Sequence, residues 1–387
     1  MTTQSLNIPL SGVPFPRSEY AERQKRVLDA AQRAGLDAIV VTSIGHLRYL
    51  TGYDGRGAYF APFPVILAPG MKPTFVVRDY EEQAVRGYSC IDDFALYTHP
   101  QDLAAVFATV MREKNLESAK VGFELGCWNL APRDLNAIQA SLPKMQVLDA
   151  TSVVPSVWAV KSELEIDAMR EAMSFTDLAV GVFHESIREG VTEFDAFRAI
   201  ESAVDRAGGE LRVASLTMVF GDRTRVAHGG PTRNVLGANQ PALIEIGGSK
   251  YGYAAGLVRS AVLGSHAESE SIHALAEEAL EAAIAATKPG VTAGDIDAAA
   301  RAVILKAGRP EAFRHRAGYQ TGINWGERGN MSLEPNAPEI VQKDMTLHMP
   351  IILFAESGHM IGCSQHVLVT ETGAEILSTT SHKLYRK

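Results

Sequence analysis

The sequence predicts two domains: an α/β domain over residues 1–155, then an α+β domain over residues 156–387 with paired helices packed on a curved antiparallel sheet. Three observations lead there. A chain of 387 residues exceeds the usual size of one domain, and each half is long enough to bury a core. The first half alternates short apolar runs with segments of helical periodicity. The second half repeats itself: Gly190-Val191-Thr192 recurs as Gly290-Val291-Thr292 and Ala207-Gly208 as Ala307-Gly308, a duplicated helical unit at a spacing of 100 residues.

In chain order, Tyr20, Val27, Leu28 and Ala31 recur at helical spacing between Ser18 and Ala34, and Gly35 closes that segment as a C-terminal cap. DAIVVTS follows as a strand. Tyr53 and Asp54, set among Gly52, Gly55 and Gly57, read as part of a glycine-rich turn. PVILA and TFVVR read as strands, 79–87 and 102–114 as helices, KVGFELG as a strand, 132–141 as a helix and MQVLDA as a strand. That alternation implies a mostly parallel sheet covered by helices. The stretch VVPSVWAVK reads as a linker, after which Ser162 and Glu165 form a capping box ahead of Ile166, Met169 and Met173. Thr192 with Asp195, and Thr292 with Asp295, are the matching helix starts of the duplicated unit. Strands are expected at 211–220, 241–263 and 343–376.

The stretch Pro241–Gly264 carries the chemistry. Its apolar run from Ala242 to Ile246 reads as a buried strand, paired with the run from Tyr251 to Leu263 through a turn at Gly248-Ser249-Lys250. Glu245 sits in the middle of that first strand, where an ionised side chain rarely lies without a partner or a task. His228 precedes Gly229-Gly230-Pro231, a turn that would present it from a loop.

Composition narrows the classes. Apolar residues make up 46% and charged residues 21%, as in a globular protein, and the net charge of −8 comes without any lysine or arginine run. Nucleic acid and anionic membranes are therefore not expected partners. No spanning apolar segment and no secretory leader pattern stand out, so a cytoplasmic location is expected. Cys90, Cys127 and Cys363 are too far apart in sequence for a disulfide framework or a metal knuckle and read as free thiols.

The two-domain layout, AVKSELEIDAMREA, the duplicated GVT helices, IEIGGSKYGYAAGLVRS and QKDMTLHMPIILFAESG together resemble the pita-bread family of methionine aminopeptidases, prolidases and creatinase. In the family's metallopeptidases two Asp, one His and two Glu hold a dinuclear metal centre. The resemblance puts Glu245, Gly256, Tyr319, Met349 and Ser364 at those five positions. Gly256 and Met349 offer no hard ligand, which implies a protein without metal or other cofactor. The family includes metal-free hydrolases, creatinase and ectoine hydrolase. The segments Leu50-Thr51-Gly52-Tyr53-Asp54-Gly55, Glu245-Ile246-Gly247-Gly248, Gly318-Tyr319, Trp325-Gly326-Glu327-Arg328 and Met331-Ser332-Leu333 are similar to those of ectoine hydrolases. The chain departs from them in a shorter run before Trp325, in Ala254 where they have a histidine, and in Gln365 where they have a glutamate.

The resemblance implies a metal-independent hydrolase of an amidine or amide C–N bond in a small zwitterion. Glu245 would attack the carbon or activate water for the attack, His228 would pass the proton to the leaving nitrogen, and Tyr319 would complete the catalytic group. Tyr53 and Asp54 would bind the substrate, from the neighbouring subunit of a homodimer if the family's arrangement holds. Trp325 would stack on a cationic group. Arg328 would pair with a substrate carboxylate or with Glu327. His348 is either a pocket residue or a core histidine. Two other readings stand beside this one: an Xaa-Pro dipeptidase, and a ligand-binding protein that has lost catalysis.

Overall fold

A computed structural model of the chain describes residues 12–55, 57–58, 61–211, 216–325 and 329–387. It divides into two compact units between Val157 and Trp158.

The first unit is a six-stranded sheet with helices. Its elements are α1 (Arg17–Arg33), β1 (Ala38–Val41), α2 (Ile44–Thr51), β2 (Val65–Leu67), β3 (Thr74–Arg78), α3 (Glu82–Tyr88), β4 (Asp93–Tyr97), α4 (Leu103–Glu113), β5 (Lys120–Phe123), α5 (Pro132–Ser141), β6 (Gln146–Asp149) and α6 (Val153–Trp158). The strand order is β4-β3-β2-β1-β5-β6. Pairing is parallel except on both sides of β2, which runs antiparallel to β1 and β3. Two segments are helical that the sequence did not mark as helices. His46–Leu50 is helical, because the carboxylate of Glu124 accepts the Thr42 and Ser43 N–H groups at 2.6 and 2.8 Å just ahead of α2. The stretch expected as a linker contains α6, which tolerates Pro155 in its first turn, where a missing N–H breaks no helical bond.

The second unit contains α7 (Glu163–Ser186), α8 (Glu193–Arg206), β7 (Glu210–Leu211), β8 (Thr217–Phe220), β9 (Gln240–Lys250), β10 (Tyr253–Leu263), α9 (Ala267–Ala286), α10 (Ala293–Lys306), β11 (Gly318–Gln320), β12 (Ser332–Leu333), β13 (Thr346–Phe354), β14 (Met360–Val369), β15 (Ala374–Ile376) and β16 (Tyr385–Arg386). The duplication is visible in the caps. Thr192 Oγ1 accepts from Asp195 N–H and Thr292 Oγ1 from Asp295 N–H, each at 3.1 Å. Thr192 bridges Val235 and Thr292 bridges Ile340 in the same antiparallel way. The pair α7–α8 covers β8 and β9 through one apolar cluster, and α9–α10 covers β13 and β14 through another.

Two five-stranded sheets, β16-β10-β9-β7 with β8 on β9, and β12-β11-β13-β14-β15, meet along β10 and β14. There side chains replace the ladder: Val258 N–H donates to Ser364 Oγ at 2.6 Å, Gly256 N–H to His366 Nδ1 at 3.2 Å and Gly362 N–H to Ser260 Oγ at 3.1 Å. Arg259, fully buried, donates to the carbonyls of Val258 and Ser364 across the same seam. The hairpin expected to turn at Gly248-Ser249-Lys250 turns instead at Tyr251-Gly252, both with positive φ (53° and 87°). Gly247 and Gly248 stay in β9 because neighbours press on them. A Cβ at Gly247 would lie 2.3 Å from the Trp325 ring, and one at Gly248 would lie 2.6 Å from Ala172 O.

Candidate active site

Glu245, His228 and Tyr319 line one cavity of about 360 Å³ in the second unit, floored by β8, β9, β11 and β13. Its other polar walls are Thr217, Arg314, His315 and Arg316, and its apolar walls include Leu243, Ile352, Phe354 and Met360. Glu245 is 9% exposed, carried by the middle of β9 with Val258 across from it on β10 and Thr217 on β8. Cross-strand partners share a face of the sheet, so Thr217 and Glu245 present their side chains to the same space. Thr217 Oγ1 is buried and has no hydrogen-bond partner among the described residues. His228 enters from the loop after β8 in a left-handed conformation (φ 54°), uncommon for a residue with a Cβ and characteristic of functional loops.

Buried charges hold the two loops that carry these groups. The Glu193 carboxylate, at the first residue of α8 and 0% exposed, accepts from Phe220 N–H at 2.9 Å, Thr232 N–H at 2.8 Å and Asn234 Nδ2 at 3.2 Å, and pairs with Arg223. It thereby pins both ends of the loop bearing His228. Asp297, also 0% exposed, pairs with Arg301 at 2.5 Å and accepts from Ala317 N–H at 3.2 Å, which fixes the extended segment leading to Tyr319. Within that segment Arg314 stacks on Phe354 and Arg316 on the Tyr319 ring, with guanidinium carbons 4.1 and 4.7 Å from the ring centroids. Burial pushes the His315 pKa down, and its Nδ1 donates to the Arg316 carbonyl at 2.7 Å. His315, Arg314 and Arg316 thus line the same cavity as Glu245.

The remaining expected site residues lie elsewhere. His348 is wholly buried behind Tyr319, its Nδ1 3.0 Å from Tyr319 Oη and its Nε2 2.9 Å from Ser364 Oγ. Trp325, expected to stack on a substrate cation, is 4% exposed and lies with its indole on Gly247 and Gly256, edge-on to His348 at 5.2 Å. Tyr53 is 2% exposed in the core of the first unit, against Phe63 and Phe75, and its hydroxyl accepts from Gly57 N–H. Asp54 is half-buried, 3.8 Å from Arg48. Arg328 and Glu327 fall outside the described residues. Cys90, Cys127 and Cys363 are free thiols.

The donor set does not suit a dinuclear metal centre. A Cβ at Gly256 would lie 1.4 Å from Cη2 of Trp325, so the space in which a second carboxylate would stand is filled by indole. Met349 is in the apolar core, and Ser364 is engaged by Val258 and His348. Among the described residues no group of three or more His, Cys, Asp or Glu side chains is arranged to hold a metal ion. A larger cavity of about 740 Å³ beside α10 has charged walls committed to local structure: Asp295 caps α10, and Asp297 pairs with Arg301. Among the described residues no helix is long and apolar enough to cross a membrane.

Known proteins match this architecture along nearly the whole chain. The profile of metallopeptidase family M24 matches residues 167–371, and that of the creatinase/prolidase N-terminal domain matches residues 23–159. An uncharacterized hydrolase/peptidase of Sinorhizobium fredii is 30% identical over 391 residues, covering 96% of this chain and 98% of its own. An ectoine hydrolase of Halomonas elongata is 28% identical over 405 residues, covering 97% and 99%. A prolidase from Thermococcus sibiricus superposes with a TM-score of 0.85 at 20% identity, covering 95% of this chain and 99% of that one, a likeness of fold. The two matching profiles and the helix-covered, duplicated sheet make this chain a member of metallopeptidase family M24, a pita-bread hydrolase with a creatinase/prolidase N-terminal domain.

Proposed function

We propose that this hydrolase cleaves an amidine or amide C–N bond in a small zwitterion, ectoine or a relative, without a bound metal. The observation that carries the reading is the cavity in which Glu245, His228 and Tyr319 meet while indole fills the space in front of Gly256. With no Lewis acid required, the attack falls to side chains. Glu245 either adds to the amidine or amide carbon, to be released by water in a second step, or takes a proton from water that adds in its place. His228 gives a proton to the nitrogen as the C–N bond breaks, and Tyr319 donates a hydrogen bond to the atom that gains the electron pair. A carboxylate acting as base or nucleophile needs a cationic or hydrogen-bonding partner, and Arg314 and Arg316 line the same cavity. The same two groups suit the carboxylate end of a zwitterion. The 28% identity to an ectoine hydrolase supports ectoine as the first compound to try. The expected homodimer is checked by sedimentation velocity.

The test is product analysis on ectoine, with Glu245→Gln and His228→Ala. Each substitution should lower turnover by about 10²-fold or more while far-UV circular dichroism and melting stay near wild type. Turnover surviving both would overturn the roles assigned. Turnover lost on chelation and restored by a stoichiometric divalent ion would overturn metal independence.

A further inference from the structure

Which nitrogen of His348 carries hydrogen follows from Ser364. The serine hydroxyl is wholly buried and already accepts from Val258 N–H at 2.6 Å, and it has one proton to give. Among the described residues the acceptor beside it is His348 Nε2, at 2.9 Å. Were Nε2 protonated, Ser364 would accept twice and its own proton would point into the core unbonded. Nε2 is therefore the acceptor, and Nδ1–H donates to Tyr319 Oη at 3.0 Å. The phenolic proton of Tyr319 is then turned away from His348, and Tyr319 lines the cavity. His366, stacked on His348 at 5.6 Å, is set the other way. Its Nδ1 accepts from Gly256 N–H, so Nε2–H donates to Thr321 Oγ1 at 2.6 Å.

We infer that His348 is a positioning residue rather than a substrate ligand: Ser364 locks it as the Nδ1–H tautomer, and its Nδ1–H in turn fixes the Tyr319 hydroxyl with the phenolic proton turned away from His348. Trp325, packed on Gly247 and Gly256, meets the imidazole in a T-shaped contact with ring centroids 5.2 Å apart. When the carbon is attacked, the C=O or C=N electron pair moves onto oxygen or nitrogen, and a fixed phenol at the cavity wall serves that step by position, without itself being transferred. The use made of Tyr319 rests on the reaction proposed above; the tautomer of His348 does not.

The tautomer is read without substrate by 15N NMR of the deuterated full-length protein carrying 15N-labelled histidine. His348 and His366 are assigned by the loss of their signals in His348→Gln and His366→Gln. If His348→Gln fails to fold, Tyr319→Phe, which removes one hydroxyl at the cavity wall, identifies the His348 signal by its shift. The expected result is Nδ1–H at His348 and Nε2–H at His366, with Ser364→Ala releasing His348 to a mixture. Nε2–H at His348 in the wild type overturns the inference. On ectoine, His348→Gln and Tyr319→Phe should each lower kcat by about 10- to 100-fold with KM little changed, and the double variant should lose no more than the worse single one. Additive losses would overturn the coupling of His348 to Tyr319. No turnover of ectoine by the wild type would strike the proposed substrate and leave the NMR result to decide the tautomer.

Discussion

Gly256 has no room for a side chain, because the Trp325 indole lies where a Cβ and anything beyond it would stand. Gly256→Asp therefore should not rebuild a metal site. It should force the indole out and bury a carboxylate, costing about 3 kcal/mol or more, measured as a lower urea midpoint with an unchanged slope. Metal added to that variant should restore none of the loss; recovery with manganese or zinc would show that the position still accepts a ligand. Glu193 makes the complementary point. Its copy in the second half of the duplication is Ala293, so the repeat is broken at the residue whose buried carboxylate holds the His228 loop. That break is a signal in the sequence, legible only once the two halves are laid side by side.

At the scale of elements, the duplicated helices stand on the same local chemistry. Thr192 and Thr292 each accept the N–H three residues on, and Asp295 also reaches back to Thr292 N–H at 2.8 Å. Thr192→Ala and Thr292→Ala should each destabilise the protein by about 1 kcal/mol, read from urea unfolding, and their effects should add because the sites are separate elements. Caps of this kind are visible in sequence because donor and acceptor lie three residues apart. The start of α2 is not: the group that receives the Thr42 and Ser43 N–H donors is Glu124, some 80 residues further along. The position of the β9–β10 turn was hidden for a related reason. Gly247 and Gly248 look like turn residues, yet they are glycines because Trp325, Ala172 and Phe175 approach the strand.

For the whole molecule, buried histidines couple stability to pH. Burial pushes His366 from an ordinary 6.5 to about 3 and His184 to about 4. Each is neutral when folded and takes up a proton when unfolded. Their stabilisation is therefore complete above pH 6.5 and is lost as pH falls from there toward the folded values. His366 alone contributes a slope of about 1.4 kcal/mol per pH unit across that window. Carboxylates held low by hydrogen bonds, such as Glu268 beside Ser357 and Asp149 beside Thr151, act in the same direction at lower pH. Urea midpoints should hold from pH 7.5 to about 6.5 and then fall toward pH 5; a flat profile would mean these imidazoles titrate normally in the folded state.

Local patterns in the sequence carried the α/β and α+β halves, the duplicated helices with their caps, and the prominence of Glu245, through hydrophobic period, three-residue capping spacings and a charge inside an apolar run. His228, in a glycine-rich turn, gained its role through the family resemblance. Tyr319 was legible only through resemblance, since a tyrosine after glycine has no signature of its own. Thr217, Arg314 and Arg316 went unnoticed because a threonine in a strand and arginines before one are ordinary until the sheet curves them onto the same cavity. That Trp325 belongs to the core and that His348 stands behind Tyr319 came from the folded chain alone. The fold also decided that a serine on β14, bonded to the backbone of β10, sets the direction of the hydrogen bonds between them. Those facts depend on which strands lie side by side, and side-by-side strands are far apart in the chain.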